Sequence, residues 1–404
     1  MNLRKINIIN LVLIIYILCA IITDDGTPIM QIGRLILIGT FVMLIIKKHK
    51  WRMNIYSLWL FLFWMFATVS IEWSQNKVFA LAMSKTLFIN MLCMYALLYL
   101  IDYRRDRMYV VLKTCIYAPV MLEIRVIVSG GLFAFADSNV RAVGGISGNT
   151  LGLCAAFGAC IAIYFIMVKE NRYLYTLLFL INLIVVILSS SRKALFCVCI
   201  PVLFVYIFNH KDSFMKTIRK LLIALLLIVI LYVAIINIPI LYNMVGNRIE
   251  SMIAMLLGNT SGADSSSVIR FRLISWGMEW YKKKPLLGYG IDNYRAVLMV
   301  YHPDYPSSYY AHNNYVELLV DVGIIGLIMY YWNYILMFVR GIKYRNKITN
   351  YEILFLGMLV ALMVNEYGLV SYYNKYIQIL LLIIWIIMDV LKSSIKDIQI
   401  THIV

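Results

Sequence analysis

Charged side chains are scarce in this sequence: they make up 14% of 404 residues, against roughly 25% in a soluble globular chain. With 63% apolar residues and a mean hydropathy of +0.83, the chain cannot cover a water-solvated core without exposing large apolar patches. The deficit excludes a soluble globular domain and makes lipid the expected solvent. Cysteine is missing from the one long hydrophilic stretch, 239–311; Cys19, Cys93, Cys115, Cys154, Cys160, Cys197 and Cys199 all fall inside apolar runs. A disulfide-stapled exterior module is thereby excluded, and the thiols are assigned to packing. A small-x-small cleavage pattern is missing after the first apolar run, where the chain reads Leu18-Cys19-Ala20-Ile21-Ile22-Thr23. That run is expected to stay as a first span despite Arg4 and Lys5 before it. No internal repeat is evident, which weighs against the duplicated architecture of many transporters.

What is present is a series of apolar runs of spanning length, for which about 20 residues are needed. They lie at 6–22, 29–46, 53–71, 78–100, 109–128, 147–168, 172–189, 194–208, 220–238, 314–339, 351–370 and 376–391. The expected fold is all-α, a polytopic transmembrane bundle of about 12 spans forming a single integral-membrane domain over 1–404. Open strands cannot satisfy their backbone in lipid, so β structure is expected to be nearly absent. The run at 194–208 is short, as a broken or tilted span would be.

The net charge of +17 does not call for a nucleic-acid partner. Basic residues cluster in alternate connections: Lys47, Lys48, Lys50 and Arg52; Arg104, Arg105 and Arg107; Lys169 and Arg172; Lys211, Lys216, Arg219 and Lys220; Arg340, Lys343, Arg345 and Lys347. The intervening connections, such as 23–28 and 72–77, have almost none. This positive-inside pattern places both termini in the cytoplasm of a cell-membrane protein, and residues 239–311 in a large exterior loop. Within that loop, 258–267 is rich in Gly, Ser and Asn and reads as turns. Ile269, Leu273, Trp276 and Trp280 then share one helical face, and Pro285 ends the helix behind Lys282, Lys283 and Lys284. The favoured reading is an amphipathic helix on the outer membrane surface with tryptophans at headgroup level. The alternative is a helix packed on a small core of the loop itself.

Charges outside or within spans need a reason, because the bilayer makes them costly. Arg141 opens the glycine-bearing turn Arg141-Ala142-Val143-Gly144-Gly145 before a helix start near Asn149, a place for an anion or a headgroup contact. Arg192 and Lys193 stand in a tight exterior turn, Ser189-Ser190-Ser191-Arg192-Lys193, against the positive-inside trend. Arg270 and Arg272 lie on the amphipathic helix, as anion ligands or as snorkelling anchors. His312, in His312-Asn313-Asn314, is an exterior histidine at a helix start, where the dipole favours its neutral form. Exterior acids (Asp24, Asp25, Glu72, Asp137, Asp264, Asp292, Asp304) are scattered without a DxD pair, so no metal or other cofactor is expected. Arginines suit a diphosphate through bidentate contacts and stabilise it as a leaving group. Tyr289, Tyr294, Tyr301, Tyr305, Tyr309, Tyr310 and Tyr315 offer faces to sugar rings or form an interfacial belt. Of the charges within spans, Arg34, Lys85, Lys113, Glu123, Arg125, Glu317, Asp321 and Glu366 are expected to face the bundle interior. Glu317 and Asp321 are expected to pair with buried cations, and Glu366 to reach the site.

In order, Arg272-Leu273-Ile274-Ser275-Trp276, Pro285-Leu286-Leu287-Gly288-Tyr289-Gly290, His312-Asn313-Asn314-Tyr315-Val316-Glu317 and Gly323-Ile324-Ile325-Gly326-Leu327 resemble the O-antigen polymerase and O-antigen ligase superfamily. Ser190-Ser191-Arg192 and Arg141 with Gly144 match its two upstream exterior arginines. The resemblance covers roughly 140–330 by motif. It implies a metal-independent, inverting glycosyltransferase of the GT-C type outside the membrane. The donor would be an undecaprenyl-diphosphate-linked glycan and the acceptor a glycan hydroxyl. Carried over by position, Arg141, Arg192 and Arg272 bind the diphosphate, and His312 orients or deprotonates the acceptor. Arg270, Lys193, Asn313, Glu366, Tyr289 and Tyr310 are the further candidate substrate contacts; which of Arg270 and Arg272 meets the diphosphate stays open. A polymerase of O-antigen or capsule repeat units is favoured, with ligation to a lipid A core as the alternative and a lipid-linked oligosaccharide flippase as a third reading. A chain-length regulator and a separate flippase are the candidate protein partners.

Overall fold

The computed structural model describes residues 7–48, 53–131, 142–189, 191–209, 213–237, 265–306, 309–345 and 347–393. Each of the apolar runs holds one helix. These are α1 (Ile8–Ile22), α2 (Pro28–Lys48), α3 (Ile55–Val69, continued by the 3-10 turn Ser70–Trp73), α4 (Lys77–Ile101), α5 (Arg105–Ser129) and α6 (Gly148–Met167). The series continues with α7 (Arg172–Leu188), α8 (Arg192–Ile207) and α9 (Phe214–Asn237). Two helices of the hydrophilic stretch follow, α10 (Ser265–Lys283) and α11 (Tyr294–Tyr301), then α12 (Asn314–Lys343), α13 (Asn350–Glu366) and α14 (Lys375–Ser393). Among the described residues the only strands are β1 (Ala142–Val143) and β2 (Ile146–Ser147), a minimal antiparallel hairpin. The all-α expectation holds.

By length and composition, five helices among the described residues are able to cross a membrane: Pro28–Lys47, Ile55–Trp73, Lys77–Ile101, Gly148–Met167 and Asn314–Lys343. Ile8–Ile22 and Arg172–Leu188 are shorter apolar helices, and α8 is short and carries Pro201 in its interior. An integral membrane protein follows; the full set of crossings rests on the apolar runs and the charge pattern.

The core is built around α6 and α14. Residues Leu151 to Ile161 of α6 are buried with α5, α7, α8 and α13 packed against it. Ile377, Leu380, Leu381, Ile384 and Trp385 of α14 are also buried. Such all-round apolar burial is what a helix shows when it has neighbours on every side.

A second, smaller core lies over one end of the bundle. Leu273 and Trp280 of α10 are fully buried against Tyr294, Val297 and Leu298 of α11, and Val316 and Val320 of α12. Trp276 stacks on His302 with ring centroids 3.6 Å apart. The favoured expectation of a helix lying on the lipid surface is corrected here: its apolar face is covered by protein, the alternative reading. The period identified the face correctly; the nearby α11 and α12 supplied a covering that lipid was expected to supply.

Residues 285–290 are clasped onto α12 at a kink. Gly323 there has φ 65° and ψ −170°, a region open essentially to glycine. Backbone bonds run from Tyr289 N to the Val320 carbonyl (2.8 Å), from Gly290 N to the Asp321 carbonyl (2.7 Å) and from Ile324 N to the Pro285 carbonyl (2.9 Å). The two glycine motifs are therefore the two halves of one backbone contact.

The buried acids of α12 hold backbone, not cations, which corrects the expected pairing. The Asp321 carboxylate accepts the amides of Asp292 (2.8 Å), Asn293 (2.9 Å) and Tyr294 (2.7 Å), where α11 begins. Glu317 accepts the Ala311 amide at 2.6 Å. An N–H cluster at a helix start satisfies a carboxylate without a full opposite charge. Arg34, Glu123, Glu317, Asp321 and Glu366 are buried as expected, but Lys85 and Arg125 are exposed. Lys113 is half-buried and pairs with Glu170.

Candidate functional site

The segment around His312 is fixed on both sides. Asn313 caps α12, its side chain accepting from Tyr315 N (3.0 Å) and Val316 N (3.1 Å). Asn314 donates to the Tyr331 hydroxyl (2.9 Å) and accepts from Ser371 N (2.9 Å), tying the helix start to the α13–α14 connection. Glu317 holds Ala311 from the other side. Between these anchors His312 adopts a left-handed φ of 54°, unusual outside glycine and costing of order 1–3 kcal/mol. The strain turns its imidazole against the Tyr310 ring, at a centroid distance of 3.9 Å.

His312, Tyr310, Arg270 and Lys193 line one cavity, which encloses about 1430 Å³ of empty space, part of it open to the surroundings. Burial, together with the nearby Arg270 and Lys193 cations, lowers the His312 pKa to about 4. The neutral ring expected from the sequence has burial and two neighbouring cations as its causes. Lys193 sits in the first turn of α8 and donates to the Gly368 carbonyl in the α13–α14 connection. Burial and the Glu317 charge raise the pKa of the Tyr310 hydroxyl, which stays protonated.

The cavity continues to a second end. There Lys375, at the start of α14, donates to the Thr23 carbonyl (2.8 Å) and pairs with Asp25 (3.2 Å). Asp25 also pairs with buried Arg34. Arg125, one turn from the end of α5, donates to the carbonyls of Ile22 (3.1 Å) and Gly144 (3.3 Å). Asp24, Asp25, Arg125, Asn149, Asn374 and Lys375 all line this cavity.

The sequence-derived candidates divide. His312, Arg270, Lys193 and Tyr310 converge. Arg272 does not line the cavity; its guanidinium donates to the Tyr305 hydroxyl at 3.2 Å, beside the Trp276–His302 stack. Arg192 is exposed at the first position of α8, outside the cavity lining. Asn313 and Tyr289 are buried in structural roles, as cap and as part of the clasp. Glu366 is buried too, accepting from Tyr331 (2.8 Å), Tyr334 (2.9 Å) and Ser371 (2.5 Å), and does not reach the cavity. Arg141 and Ser190 lie outside the described residues.

Sequence reading passed over Lys375 and Asn374, used Asn149 only to mark a helix start, expected Arg125 to face the bundle interior and gave Asp24 no role. Lys375 carried the same signal as Lys193: a cation at a span end that the charge pattern assigns to the side poor in basic residues. Among the described residues, no group of three or more His, Cys, Asp and Glu side chains is arranged to hold a metal ion. The arrangement presents fixed cations and a neutral imidazole in one cleft. Such a set binds an anion, stabilises charge developing on it, and accepts a proton beside it.

A family model described as O-antigen ligase matches residues 176–331, from α7 to just past the middle of α12. The matched segment contains Lys193, Arg270, Tyr310 and His312, and the match supports the O-antigen polymerase and ligase superfamily. No curated protein matches the chain.

Proposed function

We propose that the protein polymerises undecaprenyl-diphosphate-linked repeat units on the exterior face of the cell membrane, by inverting glycosyl transfer that needs no metal. The observation that carries this reading is the convergence of His312, Arg270 and Lys193 on one cavity, within a segment matched by the O-antigen ligase family. The diphosphate of the donor sits against Arg270 and Lys193; Arg192, which starts α8 outside the cavity lining, and Arg141 are further candidate anion ligands. The acceptor hydroxyl oxygen attacks the anomeric carbon, and the carbon–oxygen bond to the diphosphate breaks. The leaving diphosphate keeps the electron pair, and the hydroxyl proton passes to the neutral imidazole of His312. A bound diphosphate neutralises the two cations that depress His312, so the imidazole becomes a stronger base once the donor is in place. The description of the matched family favours a second reading, transfer of a finished glycan to a lipid A core.

Purified protein in lipid nanodiscs, given one lipid-linked repeat unit, is expected to yield a ladder of products unchanged by EDTA. Loss of the ladder with chelator removes metal independence; a single product formed only with lipid A core selects ligation. Arg270→Lys is expected to lower turnover about tenfold to a hundredfold, since a charge-assisted bidentate contact is worth about 1.5–3 kcal/mol. Arg272→Lys, away from the cavity, is expected to stay within about threefold of wild type. The reverse ranking in initial rates returns the diphosphate to Arg272.

A further inference from the structure

The cavity has two electrostatically separate ends. The charges acting on His312 are Arg270 and Lys193; those around Lys375 are Asp25, Arg34 and Asp24. The α13–α14 connection joins them, meeting Lys193 through Gly368 and leading into Lys375. At the second end the lining cations Arg125 and Lys375 are matched by the lining carboxylates Asp24 and Asp25. Buried Arg34 adds a third cation, but Arg34 and Lys375 are both held by Asp25 and Arg125 donates to two carbonyls. Among the described residues, the charge left facing this end of the cavity without such a partner is the Asp24 carboxylate, which would repel a second diphosphate.

Its chemistry is that of a surface for a polyhydroxylated ring. The Asp24 carboxylate can accept from hydroxyls, the Asn374 amide nitrogen can donate while its oxygen caps α14 through Tyr376 N and Ile377 N, and Tyr373 adds an aromatic ring to the lining. Asp25 is committed to Arg34 and Lys375, and this double pairing anchors the α1–α2 connection on α14. Asp24, held by that anchor, is exposed and lines the cavity. Among the described residues its carboxylate makes no ion pair or side-chain hydrogen bond. An anchored backbone presenting an uncommitted acceptor is pre-organised for a hydroxyl.

We propose that the Asp24–Asn374–Lys375 end of the cavity is a saccharide subsite, taking a neutral sugar of the glycan through hydrogen bonds from its hydroxyls to Asp24. The inference rests on the proposed function and adds to it the part of the cavity that reads the sugar.

The test uses the full-length protein in nanodiscs and two probes: inorganic pyrophosphate, and the oligosaccharide released by mild acid from the host's own lipid-linked repeat units. Asp24→Ala is expected to weaken oligosaccharide binding at least tenfold, with Asp24→Asn intermediate because the amide keeps an acceptor. Pyrophosphate binding stays within twofold of wild type in both. In turnover assays the variants raise KM for the oligosaccharide substrate and leave kcat nearly unchanged, a split that a folding defect does not produce. Oligosaccharide binding equal to wild type in Asp24→Ala, or none to wild type, overturns the subsite. Pyrophosphate binding indifferent to Arg270→Gln overturns the diphosphate reading instead, so the two failures are told apart.

Discussion

His312→Ala is expected to abolish the product ladder, with expression and membrane insertion unchanged. The expectation follows from position. The imidazole is the single neutral nitrogen base among the described residues lining the cavity, and it stands beside the cations proposed to hold the leaving group. General-base assistance contributes typically about 10²–10⁴-fold, enough to take a ladder below detection. A ladder of wild-type length from the alanine variant removes His312 from the chemistry. The fold is expected to tolerate the change, because α12 is capped by Asn313 and not by His312.

The same residue sets a pH signature. Its pKa is lowered to about 4 in the folded protein, whereas the unfolded chain has about 6.5. Between these values the unfolded state takes up a proton that the folded state refuses, so acidification through this window removes stability. Above the upper value the effect is absent, and below the lower one it is complete. Melting temperatures of wild type are expected to fall relative to His312→Gln as pH drops from 6.5 toward 4. Parallel curves for the two proteins contradict the buried, cation-flanked setting. The acid limb of kcat/KM, which reports free enzyme, is expected near 4 as well. That of kcat lies higher, because the bound diphosphate offsets Arg270 and Lys193.

Gly323→Ala has the second large expected effect, on the fold itself. A side chain at φ 65°, ψ −170° costs of order 1–3 kcal/mol in backbone strain. The added Cβ would overlap the Leu286 carbonyl, an overpacking penalty of about 1–3 kcal/mol more. Together these approach a large part of the roughly 5–15 kcal/mol that holds a domain folded. The clasp between residues 285–290 and α12 would open, releasing the Asp321 contacts that start α11 and loosening the small core beneath α10. Gly39→Ala, in open space on α2, serves as the control and is expected to melt like wild type. An unchanged melting temperature for Gly323→Ala shows that the clasp does not hold this part of the molecule.

Much of this was legible in the chain. The apolar runs located the helices, because length and hydropathy suffice for that. The period of Ile269, Leu273, Trp276 and Trp280 identified the buried face of α10. His312 stood out as a histidine at a helix start, and Lys193 as a cation breaking the charge pattern, and both line the cavity. Glu317 and Asp321 were visible but misread, and Asn313 is seen here as a helix cap. A polar residue in a motif has the same letter whether it meets substrate or holds a backbone amide.

Arg270 and Arg272 show where sequence stops. Two residues apart on a helix, their side chains point about 160° away from each other, so one at most faces a given cleft. Periodicity fixes that angle but not which neighbour each direction meets. Packing of Leu273 and Trp280 onto α11 and α12 sets the rotation of α10, bringing Arg270 to the cavity and Arg272 to Tyr305. Likewise Asp24 and Lys375 are separated by nearly the whole chain and meet because α14 packs against α1. Hydropathy, helical period and charge asymmetry are local quantities and could be read directly; the faces that meet depend on long-range packing, which belongs to the folded molecule alone.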